Sequence, residues 1–338
     1  MEPKQEAGGL HMKQLLSQRV KYLFFGGKGG VGKTVVAAAT ALYLAEEAGE
    51  KTLLASFNPV HSLTSVFQQD LSGGVVKQVA GVKNLWAVEV QYDDIVEKYK
   101  VRITNLLKEL LKMAELSIDI KPLVDIATTN PAFHEAAAFD KMMDVVLKEG
   151  AQYDRVVFDM AAVANAVRLI GLSKLYGAWL QRTIKLRKET LALKEQLSFR
   201  KDKVAKELEK DPILLELQDM YNRYMQVRKV LTDPSATRFV FVTIPTVLSI
   251  SVVQRFVEMV RAYEIPYGGV VVNMVIPSEE AASDTTGFIK SKYDEQARNL
   301  ELIKTLFGSD ILAKVRMFPE EIVGVDRLRQ FMKELVHV

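Results

Sequence analysis

The 338-residue chain predicts an α/β fold, a doubly wound and mostly parallel sheet with a helical subdomain inserted into it. Short apolar runs without a polar face alternate with helical stretches, as strands covered on both sides do. A glycine-rich turn joins the first such run to an alanine-rich helix, the arrangement of a phosphate-binding loop. Two longer stretches break the alternation with apolar residues at helical spacing, which places extra helices between strands.

The elements follow in order. The leading segment, 1–20, is expected to be disordered, since Glu2 to His11 is polar and glycine-containing. Strands are predicted at Tyr22–Phe25, Thr52–Ser56, Leu85–Val90, Arg155–Asp159, Phe239–Ile244 and Gly268–Val275. Helices are predicted at Gly32–Glu47, Asp93–Met113 and Ala132–Lys148, the second with Tyr99, Ile103, Leu106, Leu107 and Leu110 in one apolar stripe. Between Leu172 and Leu231, leucines recur at helical spacing on either side of Asp211-Pro212. Proline suits the first turn of a second helix, so this region reads as a long helical hairpin or an extended coiled-coil arm. The stretch from Val325 to Leu335 is weakly amphipathic, carries both signs of charge and reads as packing rather than as a membrane anchor.

Composition removes several classes. A net charge of +3 gives no strong field for nucleic acid or an acidic surface. The absence of cysteine excludes disulfides, thiolate metal sites and iron–sulfur ligation, and the four histidines show no metal-ligand spacing. No signal peptide and no apolar run of membrane-spanning length is visible, so a soluble, cytoplasmic protein without an integral membrane segment is expected.

The most specific feature is the run Gly27, Lys28, Gly29, Gly30, Val31, Gly32, Lys33, Thr34, with Val35 following it into the helix. It fits a Walker A loop. Glycines let successive N–H groups turn into one concavity that binds phosphate oxygens, and the helix N-terminus adds its dipole. Lys33 is expected to neutralise the β- and γ-phosphates of ATP, and the Thr34 hydroxyl to complete a Mg²⁺ shell. Asp159 ends an apolar strand, the Walker B place for a second Mg²⁺ contact. Lys33, Asn58, Asp159 and Asn273 all fall at or just past strand ends, where ligands bind in open α/β sheets.

Lys28 to Thr34, taken with Pro59-x-His61-Ser62-Leu63, resembles the ATPase family of the arsenite-pump ATPase and the targeting factor for tail-anchored membrane proteins. Val272-Asn273, Gln296-Ala297-Arg298 and Phe318-Pro319-Glu320-Glu321-x-x-Gly324 extend the likeness from about Lys21 to Phe331, and Asn130 to Glu135 with Asn165, Ala166 and Arg168 favours its prokaryotic, archaeal-like branch. The resemblance implies a leading segment before one ATPase domain, 21–338, with a helical subdomain at about 93–128 and 172–235. It implies a deviant Walker A loop whose Lys28 reaches the nucleotide of the partner in a homodimer, Asn273 and Phe318 beside the adenine, and a subdomain that binds a hydrophobic helix or a membrane-protein partner.

Three departures qualify that expectation. The family's aspartate that orients the attacking water is Asn58 here, which keeps the shape but loses the basicity, so slow hydrolysis is expected. Met160 stands where a threonine is common, and Lys292-Tyr293-Asp294-Glu295 where zinc-bridged members carry two cysteines. Candidate lining for an apolar groove is Leu106, Leu110, Met113, Leu175, Trp179 and Leu180, with ordinary interhelical core as the plainer reading. Alternative functions are an energising subunit of an anion or metalloid transporter lacking cysteine effector sites, and a membrane-associated positioning ATPase.

Overall fold

The computed structural model describes residues 11–60, 62–113, 118–160, 177–193 and 211–337. They gather into two compact units, one from the described parts of Met1–Gln91, Gly150–Val167 and Leu231–Val338, the other from those of Tyr92–Glu149 and Arg168–Val230.

The first unit is built on eight strands: β1 (Tyr22–Gly27), β2 (Thr52–Phe57), β3 (Lys77–Gln78), β4 (Leu85–Glu89), β5 (Arg155–Met160), β6 (Thr237–Thr243), β7 (Tyr267–Val275) and β8 (Ile311–Arg316). Their spatial order is β3-β4-β2-β5-β1-β6-β7-β8, and every pairing is parallel except that of β3 with β4. Side chains alternate across the pleat and so divide the central strands by face. On one face Phe158, Phe24 and Phe239 stack across β5, β1 and β6, with ring centroids 4.3 and 4.5 Å apart. On the other lie Leu54, Val157, Leu23, Phe25 and Val240, packed against buried residues of α2 (Lys33–Glu46). Asp159 and Ser56 share that second face by parity, and register pairs Asp159 with Phe25 on one side and Ser56 on the other. Thus the pleat itself puts the carboxylate under the start of α2.

Further helices of this unit are α1 (Met12–Ser17) and α3 (Ser62–Phe67), with α9 (Val247–Ala262), α10 (Ser278–Ser283), α11 (Phe288–Phe307) and α12 (Val325–His337) in its C-terminal part. Helix α12 buries Leu328, Phe331, Met332 and Leu335 in the same core as α2. Its apolar face is therefore spent on packing.

The second unit holds α4 (Tyr92–Met113), α5 (Lys121–Thr128), α6 (Pro131–Leu147), the described helical stretch α7 (177–193) and α8 (Pro212–Leu231). Asn130 caps α6 by accepting from Ala132 N at 2.9 Å, with Pro131 in the first turn. Asp211 does the same for α8 through Leu214 N and also pairs with Arg187 of α7 at 2.5 Å. Arg102 of α4 reaches Asp140 of α6 and Glu216 of α8, while Arg223 of α8 reaches Asp140 and Asp144. Among the described residues, no helix is long and apolar enough to cross a membrane.

The structure differs from expectation at four points. The leading segment is helical from Met12 to Ser17 and buries Met12, Leu15 and Leu16, an i, i+3, i+4 triplet that overrides the polar composition before it. The strand β8 was not expected because Lys314 and Arg316 interrupt its apolar residues; it is an edge strand, where charge on the open side is the rule. The two-residue β3 is too short to leave a pattern. Helix α6 groups with the helical unit, which therefore runs through Glu149 rather than ending near residue 128. Of the candidate groove residues, Trp179 is exposed, Leu180 is buried against Ile213 and Leu217, and Leu106 is half-buried. Leu175 and the side chains of Leu110 and Met113 lie outside the described residues.

Arg155, only 2% exposed, ties the leading helix to the sheet. Its guanidinium donates to Val20 O and, at 2.6 Å, to Leu16 O, and pairs with Glu50 at 2.7 Å. Removing one partner of such a set leaves buried acceptors unserved. Arg155→Ala is expected to cost about 3–5 kcal/mol in a denaturant titration, with Arg155→Lys recovering only part, because a lysine cannot span three acceptors in one plane.

Candidate functional site

The loop between β1 and α2 is shaped by what its glycines lack. A Cβ at Gly27 would stand 2.3 Å from Val242 O of β6, and one at Gly32 would stand 2.3 Å from Asn273 Nδ2 of β7. Gly30 and Gly32 also have φ of +80° and +84°, in the left-handed region that other residues avoid. Lys28, Gly29 and Gly30 face solvent, whereas Val31 is anchored in the core.

Lys33 opens α2 with its side chain folded back, Nζ donating to Lys28 O at 3.0 Å. At 8% exposure, burial lowers its pKa, and the nearby Asp159 carboxylate opposes that shift. Asp159 is fully buried, and burial pushes its carboxyl pKa up against the pull of Thr34, Ser56 and Lys33.

Around Asp159 the polar side chains form a connected set. Thr34 Oγ1 donates to Asp159 Oδ2 at 2.8 Å, and Ser56 Oγ donates to the same oxygen at 3.0 Å. Ser56 Oγ also accepts from Asn58 N at 3.3 Å. The Asn58 side chain donates from Nδ2 to Ser62 Oγ at 3.2 Å and accepts Val60 N on Oδ1 at 3.2 Å. Ser62 Oγ in turn lies 3.3 Å from Thr34 Oγ1. Thr34, Asp159 and Asn58, picked out separately from the sequence, thus sit on one network. Both hydroxyl donors fall on Oδ2, and Asp159 Oδ1 is buried with no hydrogen-bond partner. An orphaned carboxylate oxygen beside a threonine hydroxyl fits a hydrated divalent cation. Among the described residues there is no group of three or more His, Cys, Asp or Glu side chains that could hold a metal ion.

Past the loop lies a cavity of about 560 Å³ lined by Gly32, Val35, Ser62, Asn273, Arg316 and Phe318 among others. Ser62 belongs to both the cavity and the network, so the two are contiguous. The Phe318 ring is held by Phe331 at 5.7 Å and by the Arg316 guanidinium at 5.2 Å, and Arg316 is fixed by Glu334 at 3.2 Å. The Asn273 amide donates one N–H of Nδ2 to Val31 O at 3.0 Å.

Three residues of the site escaped the sequence reading. Ser56 ends an apolar run as Asp159 does, which was the available signal. Ser62 was noted only inside a motif. Glu89, at the end of β4, is buried and accepts from Leu63 N at 2.6 Å, Thr64 N at 3.1 Å and Thr64 Oγ1 at 2.7 Å, fixing the first turn of α3 and hence Ser62. Other motif residues resolve as structural. Gln296 clamps Ile276 through both its N–H and C=O, and Gly324, at φ +83°, donates its N–H to Val66 O. His61 and the residues from Ala161 to Ala166 lie outside the described residues, and Met160 is buried at the end of β5.

These features have counterparts in known proteins. The anion-transporting ATPase family matches residues 20–337. ATPase GET3C of Arabidopsis thaliana is 32% identical, over 97% of this chain and 85% of that protein. ATPase GET3B of the same plant is 30% identical, over 94% and 78% respectively. An ATPase ASNA1 homolog of Entamoeba dispar is 27% identical, over 94% of each. With a phosphate loop, a buried strand-end aspartate and a match along nearly the whole chain, this protein belongs to the anion-transporting ATPase family and is an ATPase.

Proposed function

We propose that the chain binds Mg²⁺-ATP at this site and works as a nucleotide-switched homodimer whose helical unit holds a hydrophobic helix or a membrane-protein partner. The observation that carries the reading is the network joining Thr34, Asp159, Ser56, Asn58 and Ser62 beside the glycine loop. In it, loop N–H groups and Lys33 bind the triphosphate, and Thr34 with the orphaned Asp159 Oδ1 holds Mg²⁺. The cation, when bound, neutralises charge between the β- and γ-phosphates. Val35, Asn273 and Phe318 line the cavity for the base. A cytoplasmic location fits this reading.

On this reading Asn58 orients the attacking water but cannot take its proton. The exposed Lys28 is free to approach a second copy of the chain, where its charge would act on the partner's nucleotide. Support for an apolar client comes from the second unit, whose α5 exposes Leu123 and Ile126 and whose α7 exposes Trp179 and Leu186.

Three outcomes test the proposal. Asn58→Asp is expected to raise steady-state ATP turnover by about 10²–10⁴-fold, the range of general acid–base assistance, with ATP affinity little changed. Equal turnover in both proteins would remove Asn58 from the water's position. Lys28→Ala is expected to keep ATP binding while losing ATP-dependent dimerisation by sedimentation; an unchanged dimer would end the trans role.

The third outcome concerns pH. Because burial raises the Asp159 pKa, its contribution to stability is present at low pH and is lost as pH rises through the folded-state value. A bound cation takes up that charge. The rise in melting temperature on adding Mg²⁺-ATP is therefore expected to grow with pH, and to stop doing so in Asp159→Asn; a pH-independent gain in the unaltered protein would contradict the metal assignment.

A further inference from the structure

Asn273 ends the regular part of β7 with a side chain only 3% exposed, and the backbone departs from strand geometry at once, with Met274 at φ +56°. A buried amide must place its donor, and this one places it on the phosphate loop, from Nδ2 to Val31 O at 3.0 Å. The contact depends on an absent side chain, since a Cβ at Gly32 would occupy the amide's position.

Val31 is an unusual place for such a bond. Its side chain is fixed in the core at 1% exposure, yet it stands between Gly30 and Gly32, both left-handed. Glycines on either side let the neighbouring peptide planes rotate against little steric resistance. In a trans peptide the C=O and the N–H point to opposite sides. Holding Val31 O at Asn273 therefore aims Gly32 N–H away from β7. A flipped peptide would put a carbonyl where an anion needs a donor.

We infer that Asn273 is a positioning residue for the phosphate loop, bracing the Val31–Gly32 peptide in the orientation that leaves its N–H for phosphate. The inference rests on the proposal that the loop binds the triphosphate. It gives one buried side chain two duties, because Asn273 also lines the 560 Å³ cavity that receives the base. Filling the cavity and ordering the loop then favour each other through the same amide.

The test compares two ligands on the full-length chain, Mg²⁺-ATP and Mg²⁺-tripolyphosphate, the latter having phosphates and no base. Asn273→Ala is expected to weaken tripolyphosphate binding by about three- to tenfold, the population cost of losing one net hydrogen bond in the binding-competent loop. ATP should weaken by at least as much, with the ligand-free melting temperature little changed. Asn273→Leu, nearly isosteric and without a donor, should show the same loss and guards against collapse of the site in the alanine variant. Weaker ATP binding with unchanged tripolyphosphate binding in both variants would overturn the brace and leave Asn273 a base contact alone. If the unaltered chain bound neither ligand, the phosphate-loop reading itself would fail and the brace with it.

Discussion

A carboxylate buried in the middle of a parallel sheet is the constraint around which the rest of this molecule is arranged. Asp159 cannot stay charged there without donors, and it obtains them from two neighbouring elements, Thr34 at the start of α2 and Ser56 at the end of β2. Both donate to the same oxygen, and the other is buried without a hydrogen-bond partner. The cost of burial is thus only partly offset by the protein, and on the proposed reading a bound cation supplies the rest. On the proposed reading, that is a physical reason for nucleotide and cation binding to bear on the segments that approach Asp159, the start of α2 and the end of β2.

The glycine loop follows the complementary rule, in which function depends on space rather than on a group. Gly27 lets β1 pass against β6, and Gly32 lets the Asn273 amide reach a loop carbonyl. The loop is therefore held from β6 and β7 on one side, while Lys33 is folded onto the loop itself. Lys33 Nζ donates to the loop carbonyl of Lys28. A phosphate competes for that lysine, whose charge burial disfavours until an anion supplies compensation.

Much of this was legible in the sequence, and the limits are instructive. The six strands found from apolar runs are those buried along most of their length, where apolar residues predominate. The edge strand β8 carries the exposed Lys314 and Arg316 among its apolar residues, so the run criterion could not see it. Thr34 is read from the glycine-rich motif, Asp159 from its strand-end position and Asn58 from a strand end and family likeness, yet their mutual contact depends on register, which no single-residue criterion contains. Glu89 shows the same limit more sharply. A glutamate closing β4 gives no hint that three donors of another segment converge on it. The reading of Asn273 as a base contact came from family likeness, and what only the structure supplies is the bond to Val31.

Asn58 is best understood from the same network. Its amide donates to Ser62 and accepts from Val60, so both ends are used without any net charge. An aspartate in that place could accept from Val60 but could not donate to Ser62, and Ser62 would have to turn its own proton toward the new carboxylate. The new side chain would join Asp159, already held back from ionising by burial, through Ser62 and Thr34. A second carboxylate on the same network would make the first still harder to ionise. The amide, on the proposed reading, gives up basicity at the attacking water and keeps both its hydrogen bonds, to Ser62 and from Val60. On the proposed reading, such a trade favours a protein that dwells with ATP over one that turns it over quickly, which suits a switch that must hold its partner while bound.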